Sequence, residues 1–216
     1  MTSAPSAMPP TGKSPTEFWS GLYETVRGSA WNASVNTRLA EFAADLPPGS
    51  ALDLGCGQGG DALWLARHGW QVTAVDIADA ALQRVAEQAA VEGLADRVRT
   101  QRHDLSVSLP AGQYDLVSAH YLHTPFEFDR VGILREAAGL IRPGGVLLVV
   151  DHASVAPWSW DQDARFPAPA DTLAEIDLPC ADWETLICEA RRRTATGPGG
   201  ETAEVTDNVM SVRRRR

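Results

Sequence analysis

The chain has 216 residues, 44% of them hydrophobic and 22% charged, enough for one sizeable core and too few for a dinucleotide domain followed by a full substrate domain. A formal net charge of -9 argues against general binding to nucleic acid or to an anionic membrane, since either needs a basic footprint. Three cysteines, Cys56, Cys180 and Cys188, lack metal-ligand spacing and form an odd set, which suits a reducing cytosol and a cytoplasmic location.

Residues 1–15 are rich in Ser, Pro and Thr, lack the charged start and apolar centre of a signal peptide, and are expected to be a disordered tail. From Thr16 onward, Phe18, Trp19, Leu22, Tyr23 and Val26 recur at helical spacing; Trp31 follows, then a second helical run over residues 36–46 that Pro47-Pro48-Gly49 stops. These helices precede the first strand, so they must pack on a sheet or cap one end of it. Trp19, Tyr23 and Trp31 then either roof a ligand cleft or fix the cap to the body.

Ala51-Leu52-Asp53-Leu54 reads as a strand that runs into Gly55, Gly57, Gly59 and Gly60, with a helix starting near Gly60 and ending at His68-Gly69. Glycines let a ligand approach the main chain, and the helix start presents free N–H groups. Gly55, Gly57 and Gly60 also satisfy the spacing of dinucleotide loops. Asp53 tips the balance: a carboxylate there repels a pyrophosphate and favours a ligand carrying an ammonium or sulfonium group.

Residues 71–77 form a buried strand ending in Asp76, which stands 17 residues past Gly59, where a carboxylate accepts both hydroxyls of a ribose. Asp79 is read as the cap of the next helix, over residues 80–94, which leaves Asp76 free for that role. A third strand, residues 98–104, ends in Asp104, which with Leu105 is placed to meet an adenine; His103 beside it is read as structural. Residues 114–122 are the fourth strand, followed by His123-Thr124-Pro125, a helix over 127–141, a turn at Arg142-Pro143-Gly144-Gly145, and a strand over 146–152. This β-α-β alternation predicts a parallel, doubly wound α/β sheet with helices on both faces and ligands at the carboxyl ends of its strands. Gly55, Asp76, Asp104, His120 and His152 all fall at or just beyond such ends.

Past Asp151 the chain is rich in Trp and Pro, including Trp158, Trp160, Phe166 and Trp183, around a short helix at 171–176. Two β-like runs, 183–193 and 203–213, flank a Gly-Pro-Gly-Gly hairpin signal and complete a seven-stranded sheet. The basic clusters Arg191 to Arg193 and Arg213 to Arg216 are read as solvated ends of edge strands and a frayed tail.

With these residues in view, the chain resembles the class I S-adenosylmethionine (SAM) dependent methyltransferases: LDLGCGQGG for the glycine loop, AVDI for the ribose acid, HDL after strand three, YDLVSAHYLH at strand four and LIRPGG before strand five. The Trp-containing N-terminal helices and DALWLARHGW look most like bacterial small-molecule members, including the tellurite-resistance and thiopurine methyltransferase relatives. The resemblance implies a Rossmann-like sheet ordered 3-2-1-4-5-7-6 with strand seven antiparallel. It assigns Asp53, Gly55, Cys56, Gly57 and Gly59 to the methionine end of SAM, Asp76 and Ile77 to ribose and adenine, and Asp104 and Leu105 to adenine. It also turns His120 to His123 toward the methyl group. AHYL stands where amino-methylating enzymes of DNA and protein glutamine carry their N/D-P-P-Y tetrad, which argues against those substrates.

The expected reaction is in-line transfer of a methyl group to a small-molecule acceptor, leaving S-adenosylhomocysteine, with alignment as the main contribution of the protein. His120, Tyr121 and His123 are the candidates for proton transfer, and Trp19, Tyr23, Trp31 and Trp158 for acceptor contacts. No metal, nucleic acid or membrane partner is expected, and the protein is expected to act as a monomer or homodimer. One domain over residues 16–216 divides into a helical cap (16–48), a SAM-binding core (49–152) and a substrate-side loop with the hairpin (153–216). The alternatives are a SAM-binding sensor without catalysis and a nicotinamide-dependent oxidoreductase.

Overall fold

The computed structural model describes residues 12–25, 34–159, 161–197 and 199–216. Trp31 and Trp160 therefore lie outside the described residues. The elements, in order, are α1 (Pro15–Thr25), α2 (Thr37–Ala43), β1 (Ser50–Leu54), α3 (Gly60–Arg67), β2 (Gln71–Asp76), α4 (Asp79–Val91), β3 (Val98–Arg102), β4 (Tyr114–His120), α5 (Arg130–Gly139), β5 (Ile141–His152), α6 (Pro169–Ile176), β6 (Trp183–Thr196) and β7 (Thr202–Arg214).

All seven strands join one sheet, ordered β3-β2-β1-β4-β5-β7-β6. β3, β2, β1, β4 and β5 pair in parallel, and β7 runs antiparallel to both β5 and β6. This is the expected order and polarity. The two-residue period of the strands divides the core between the two faces. Ala51, Val72, Ala74, Leu116, Leu148 and Val150 face α3 and α4 through Leu63, Ala66, Val85 and Ala89. Leu52, Leu54, Val75, Val117, Ala119, Leu147 and Val149 face α5 and α6 through Leu134, Ala137, Ala138 and Ile176. Strands buried on both faces read as continuous apolar runs, and each fully buried Leu, Val or Ile contributes ~1.5–3 kcal/mol.

Several local expectations change. Arg142-Pro143-Gly144-Gly145 is not a turn ahead of β5 but a bulge within it: Ile141 pairs with Tyr114 and Val146 with Leu116, so the extra residues loop out while the pairing resumes. Gly144 sits at φ +88 to permit this. Asp79 is not a cap. The N-cap of α4 is Ala78, without a side-chain bond, and Asp79 lies in the first turn, 3.6 Å from Arg102.

The hairpin runs longer than its sequence signal, from Trp183 paired with Arg214 to Thr196 paired with Thr202. Nor is all of its basic cluster solvated: Arg192 is 76% exposed in its side chain, as expected of an edge strand, but Arg193 is not. Arg193 is 11% exposed in its side chain, with Nε donating to Asp207 Oδ2 at 2.7 Å and Nη2 donating to the Tyr121 hydroxyl at 3.1 Å. Asp207 is fully buried and also accepts from the Tyr121 hydroxyl at 2.9 Å, while Arg38 Nε of α2 lies 3.5 Å away. One carboxylate thus ties α2, the end of β4 and both arms of the hairpin together.

Candidate active site

The turn after β1 is built from backbone bonds. Cys56 N–H donates to Val75 O, Gly59 N–H donates to Cys56 O, both at 2.8 Å, and Gly59 caps α3 from the left-handed region at φ 78. A Cβ on Gly59 would come within 2.5 Å of Val85 Cγ2, so α4 packs against the loop only because that carbon is missing. Asp76 at the end of β2 holds the loop from the side: Oδ2 accepts from Gly57 N–H and Oδ1 from Ala78 N–H, each at 2.9 Å. Asp76 therefore fixes the glycine loop and the start of α4 at once. Burial nonetheless raises its pKa, against the lowering effect of these backbone donors.

Above this loop lies a cleft of about 730 Å³ including its open mouth. Gly55, Asp76, Ile77, Asp104 and Leu105 line one side and Tyr121, Leu122, His123 and Thr124 another, with Trp19 and Tyr23 of α1 over it. Tyr23 comes close enough that a Cβ on Gly57 would meet its hydroxyl at 2.9 Å. The Trp19 indole N–H donates to Thr124 Oγ1 at 3.4 Å, and Phe18 beside it meets Phe126 edge-on at 5.6 Å. The charged lining is acidic: Asp76, Asp104 and Glu127, with His103 and His123 and neither lysine nor arginine among the described residues. His103 is held by Ser108 at 2.9 Å and Gln101 at 3.3 Å. Asp104 Oδ1 accepts from Ser106 N–H at 3.0 Å and Ser106 Oγ at 2.5 Å, shaping the loop past β3.

Besides Gly57 and Gly59, which form the turn without lining the cleft, four expected site residues lie elsewhere. Cys56 is buried within the loop, and Asp53 and His120 are beneath it rather than on the cleft wall, because alternation along β1 and β4 turns Asp53, Ser118 and His120 toward α3. There they meet Asp61 of the first helical turn. His120 Nδ1 is 2.7 Å from Asp61 Oδ2, Asp61 Oδ1 accepts from Asn36 N–H at 2.6 Å, and Ser118 Oγ donates to Asp53 Oδ1 at 3.3 Å. Burial and the Asp61 charge push the Asp53 carboxyl up to about 7. Burial opposes the His120 charge, but Asp61 and then Asp53 outweigh it and raise that pKa as well. Three atoms of this cluster, Asp53 Oδ2, His120 Nε2 and Asn36 Nδ2, are buried with no hydrogen-bond partner among the described residues. The fourth, Trp158, lies against the hairpin tip, where a Cβ on Gly197 would meet its Cδ2 at 2.7 Å.

Just past β4 the expected Tyr121 and His123 meet residues that sequence reasoning missed. Tyr121 takes a left-handed φ of 50, and His123 N–H donates to Tyr121 O at 2.8 Å, closing a tight turn. The ring of Tyr121 stacks on His152 at 4.3 Å. Burial, then Asp207, raises the Tyr121 phenol's pKa. Under the turn, Arg130 Nε donates to Leu122 O at 3.1 Å and Arg130 Nη2 reaches both oxygens of Asp151 at 2.6 Å. His123 Nε2 lies 3.3 Å from Asp151 Oδ1. Asp61, Arg130, Asp151, Arg193 and Asp207 carry no local motif; their side-chain partners lie 14 or more residues away in the chain.

Residues 51–145 match the family described as "Methyltransferase domain". These residues are a methyltransferase domain of the class I SAM-dependent kind. Its relatives include hemagglutinin 1 of Eikenella corrodens, 31% identical over 157 residues, covering 72% of this chain and 51% of that protein. Ribosomal RNA small subunit methyltransferase C of Alcanivorax borkumensis is 35% identical, over 54% of this chain and 36% of that one. Ubiquinone biosynthesis O-methyltransferase of Xanthomonas axonopodis pv. citri is 37% identical, over 52% and 47%. The chain thus spans about half the length, or less, of these relatives. Among solved structures, TehB from Haemophilus influenzae superposes with a TM-score of 0.66 at 20% identity, over 91% of this chain and 67% of that chain. The N-methyltransferase NodS from Bradyrhizobium japonicum, solved with S-adenosylhomocysteine, superposes with a TM-score of 0.65 at 14% identity, over 92% and 99%. Both share the fold. The cofactor of the family is SAM.

Proposed function

We propose that this protein transfers the methyl group of SAM to a small-molecule acceptor bound under α1. The observation that carries this reading is the cleft itself, with Asp76 and Asp104 on one wall, His123 on another, aromatic rings over it and no lysine or arginine among its described lining. Such a lining suits a cationic sulfonium and uncharged ribose hydroxyls, and it is the wrong sign for the pyrophosphate of a nicotinamide dinucleotide.

The fit to SAM rests on shape and chemistry together. Gly55 lines the cleft at φ +67, where a Cβ would come within 2.8 Å of Leu122 Cδ1, so the bare backbone keeps the passage open. In our reading Gly55, Gly57 and Gly59 with the Asp53–Asp61–His120 cluster beneath them hold the methionine end, Asp76 and Ile77 the ribose and adenine, and Asp104 and Leu105 the adenine. SAM supplies a methyl group already activated on a sulfonium. The chain's own work is to align the acceptor, exclude water and, where the acceptor carries a proton, remove it. Residues 16–48 then serve as the cap, 49–152 as the SAM-binding core and 153–216 as the flanking loop and hairpin.

The acidic lining of the cleft favours a small acceptor over a nucleic acid, although one relative's name is a ribosomal RNA methyltransferase. Among the described residues no helix is long and apolar enough to cross a membrane. The three cysteines are unpaired, in keeping with the cytosolic location we assign. Calorimetric titration with SAM, followed by an S-adenosylhomocysteine release assay across phenols, thiols, amines and metalloid oxyanions, tests the proposal. Binding with release from a small acceptor is expected. Binding with no release from any acceptor would replace it with a sensor role, and absence of SAM binding would remove it altogether.

A further inference from the structure

The turn after β4 carries a histidine on the cleft wall and, behind it, a buried ion pair that the glycine loop does not use. His123 lines the cleft with its side chain 43% exposed, whereas Asp151 and Arg130 behind it are 8% and 15% exposed. Arg130, the first residue of α5, is bound twice. Its Nη2 meets both Asp151 oxygens at 2.6 Å, and its Nε donates to Leu122 O at 3.1 Å, one residue before His123. The same guanidinium therefore fixes the carboxylate and the backbone of the turn. His123 Nε2 sits 3.3 Å from Asp151 Oδ1, and Nδ1 has no hydrogen-bond partner among the described residues.

We propose that Asp151 and Arg130 are positioning residues that hold His123 as the Nε2–H tautomer, so that Nδ1 accepts the proton of an aromatic hydroxyl acceptor during methyl transfer. The proposal rests on the methyltransferase reading above and deepens it by naming the acceptor class.

A carboxylate accepts only, so Asp151 at 3.3 Å favours the tautomer with the proton on Nε2 and leaves Nδ1 as the acceptor. Base and orienter are thus in place, as proton abstraction requires. Burial would favour protonating Asp151, but the His123 hydrogen bond and the Arg130 charge outweigh it and hold the carboxyl below its usual range, so it stays an acceptor. The other groups around His123 do not compete for the proton. His152 stacks on it at 6.2 Å, and burial, followed by repulsion from His123, lowers its pKa to about 4. Asp207 and Arg193 satisfy each other and Tyr121, while Glu127, Asp76, Asp104 and His103 lie elsewhere on the same cleft.

Chemistry and lining select the acceptor. A thiol close to neutrality or a metalloid oxyanion reaches the site ionised and needs no base, whereas a phenol does not. Trp19, Tyr23, Tyr121, Phe126 and Phe128 line the same space and offer ring faces and edges to a planar ligand. The proton moves from the acceptor hydroxyl to Nδ1, giving an imidazolium whose charge Asp151 balances. The oxygen's electron pair enters the new bond to the methyl carbon, and the pair of the broken carbon–sulfur bond remains on sulfur.

The first experiment needs no turnover: long-range nitrogen–proton NMR of the wild-type protein with bound S-adenosylhomocysteine, resolving the ring nitrogens of all five histidines. The His123 signal, assigned by its loss in His123→Gln, is expected to show Nε2 protonated and Nδ1 bare in the neutral ring. The opposite tautomer overturns the proposal. The double variant Asp151→Leu/Arg130→Met removes both buried charges together, so neither is stranded, and is expected to let the ring relax to a mixture of tautomers. An unchanged tautomer there would show that the pair does not position it.

The second experiment supplies phenol, catechol, 1-naphthol and thiophenol with SAM. Methylation of at least one hydroxyl is expected, falling ~10²-fold or more in kcat in His123→Gln, while thiophenol methylation falls less than about threefold. Methylation of thiophenol with no hydroxyl turned over, or equal losses on both, overturns the acceptor class. SAM affinity, measured separately by calorimetry, reports on the underlying methyltransferase reading alone.

Discussion

Replacing Asp53 by Asn tests the buried cluster beneath the glycine loop. Asp53 is 3% exposed, with one oxygen unpartnered and Asp61 close enough to repel it; burial first and that repulsion second push its carboxyl from 3.8 to about 7. The folded state therefore binds a proton that the unfolded chain releases across this interval, so stability is fully present below the unfolded value and is lost as pH rises through the folded one. At about 1.4 kcal/mol per pH unit, the interval costs on the order of 4 kcal/mol once the pH is above both values. His120 contributes with the same sign, since its raised pKa means stability that fades as its proton leaves, and Asp53 is one of its supports. Asp53→Asn keeps the shape and removes both effects in part. Urea unfolding of the ligand-free protein, followed by Trp fluorescence at about pH 5.5 and about pH 8, should show the wild type losing stability and the variant losing much less. The variant is expected to be the more stable protein at the higher pH. Denaturation midpoints that move in parallel between the two pH values would refute the assignment of a neutral-range proton to this cluster.

Asp76→Ala removes the acceptor of Gly57 and Ala78 N–H and is expected to weaken SAM binding at least ~tenfold while the protein stays folded, as read by calorimetric titration and circular dichroism. Unchanged affinity would show that Asp76 only braces the loop. Gly59→Ala must place a Cβ 2.5 Å from Val85 Cγ2 at φ +78, and we expect about 3 kcal/mol of lost stability by urea titration. Asp207→Ala leaves Arg193 and the Tyr121 hydroxyl without their buried acceptor, an expected loss of ~3–5 kcal/mol by the same measurement. A loss under about 1 kcal/mol would mean that water replaces the carboxylate there.

The fold was legible because parallel strands buried on both faces write themselves as short apolar runs, and because Gly55 to Gly60, Asp76 and Asp104 fall at strand ends in regular succession. The glycine loop, the acid after β2 and the aromatic helix α1 share one cleft, and each has a local signature. What was not legible depended on sidedness and distance. Asp53 was read as facing a ligand, yet a single step of strand alternation turns it under the loop to Asp61, whose place in an amphipathic helix gave no hint of that role. Asp76 seemed free because Asp79 offered a cap; the chain instead uses Asp76 itself to hold the Ala78 N–H. Arg193 looked like part of a solvated run because charge runs usually are, and its partner Asp207 is visible only after the hairpin is paired in register. The His123–Asp151 contact joins the ends of neighbouring parallel strands, a proximity that sequence separation hides.

The hairpin is fastened in its middle rather than at its turn. Asp207 sits opposite Arg191, whereas the last paired residues, Thr196 and Thr202, lie several residues farther out, past Arg193 opposite Val205. Everything between the root and the Asp207 knot is therefore committed to the body, through β5 on one side and Arg38 and Tyr121 on the other. The arm beyond is held more lightly, by Thr206 against Ala153 and Ser154 and by Trp158 against Gly197, and only its turn at Gly200 stands clear. For protein engineering this separates a tolerant end from an intolerant one: a fluorophore site or short peptide inserted at Gly200, whose surroundings are open space, should leave folding and SAM affinity intact, while the same insertion beside Asp207 should abolish both.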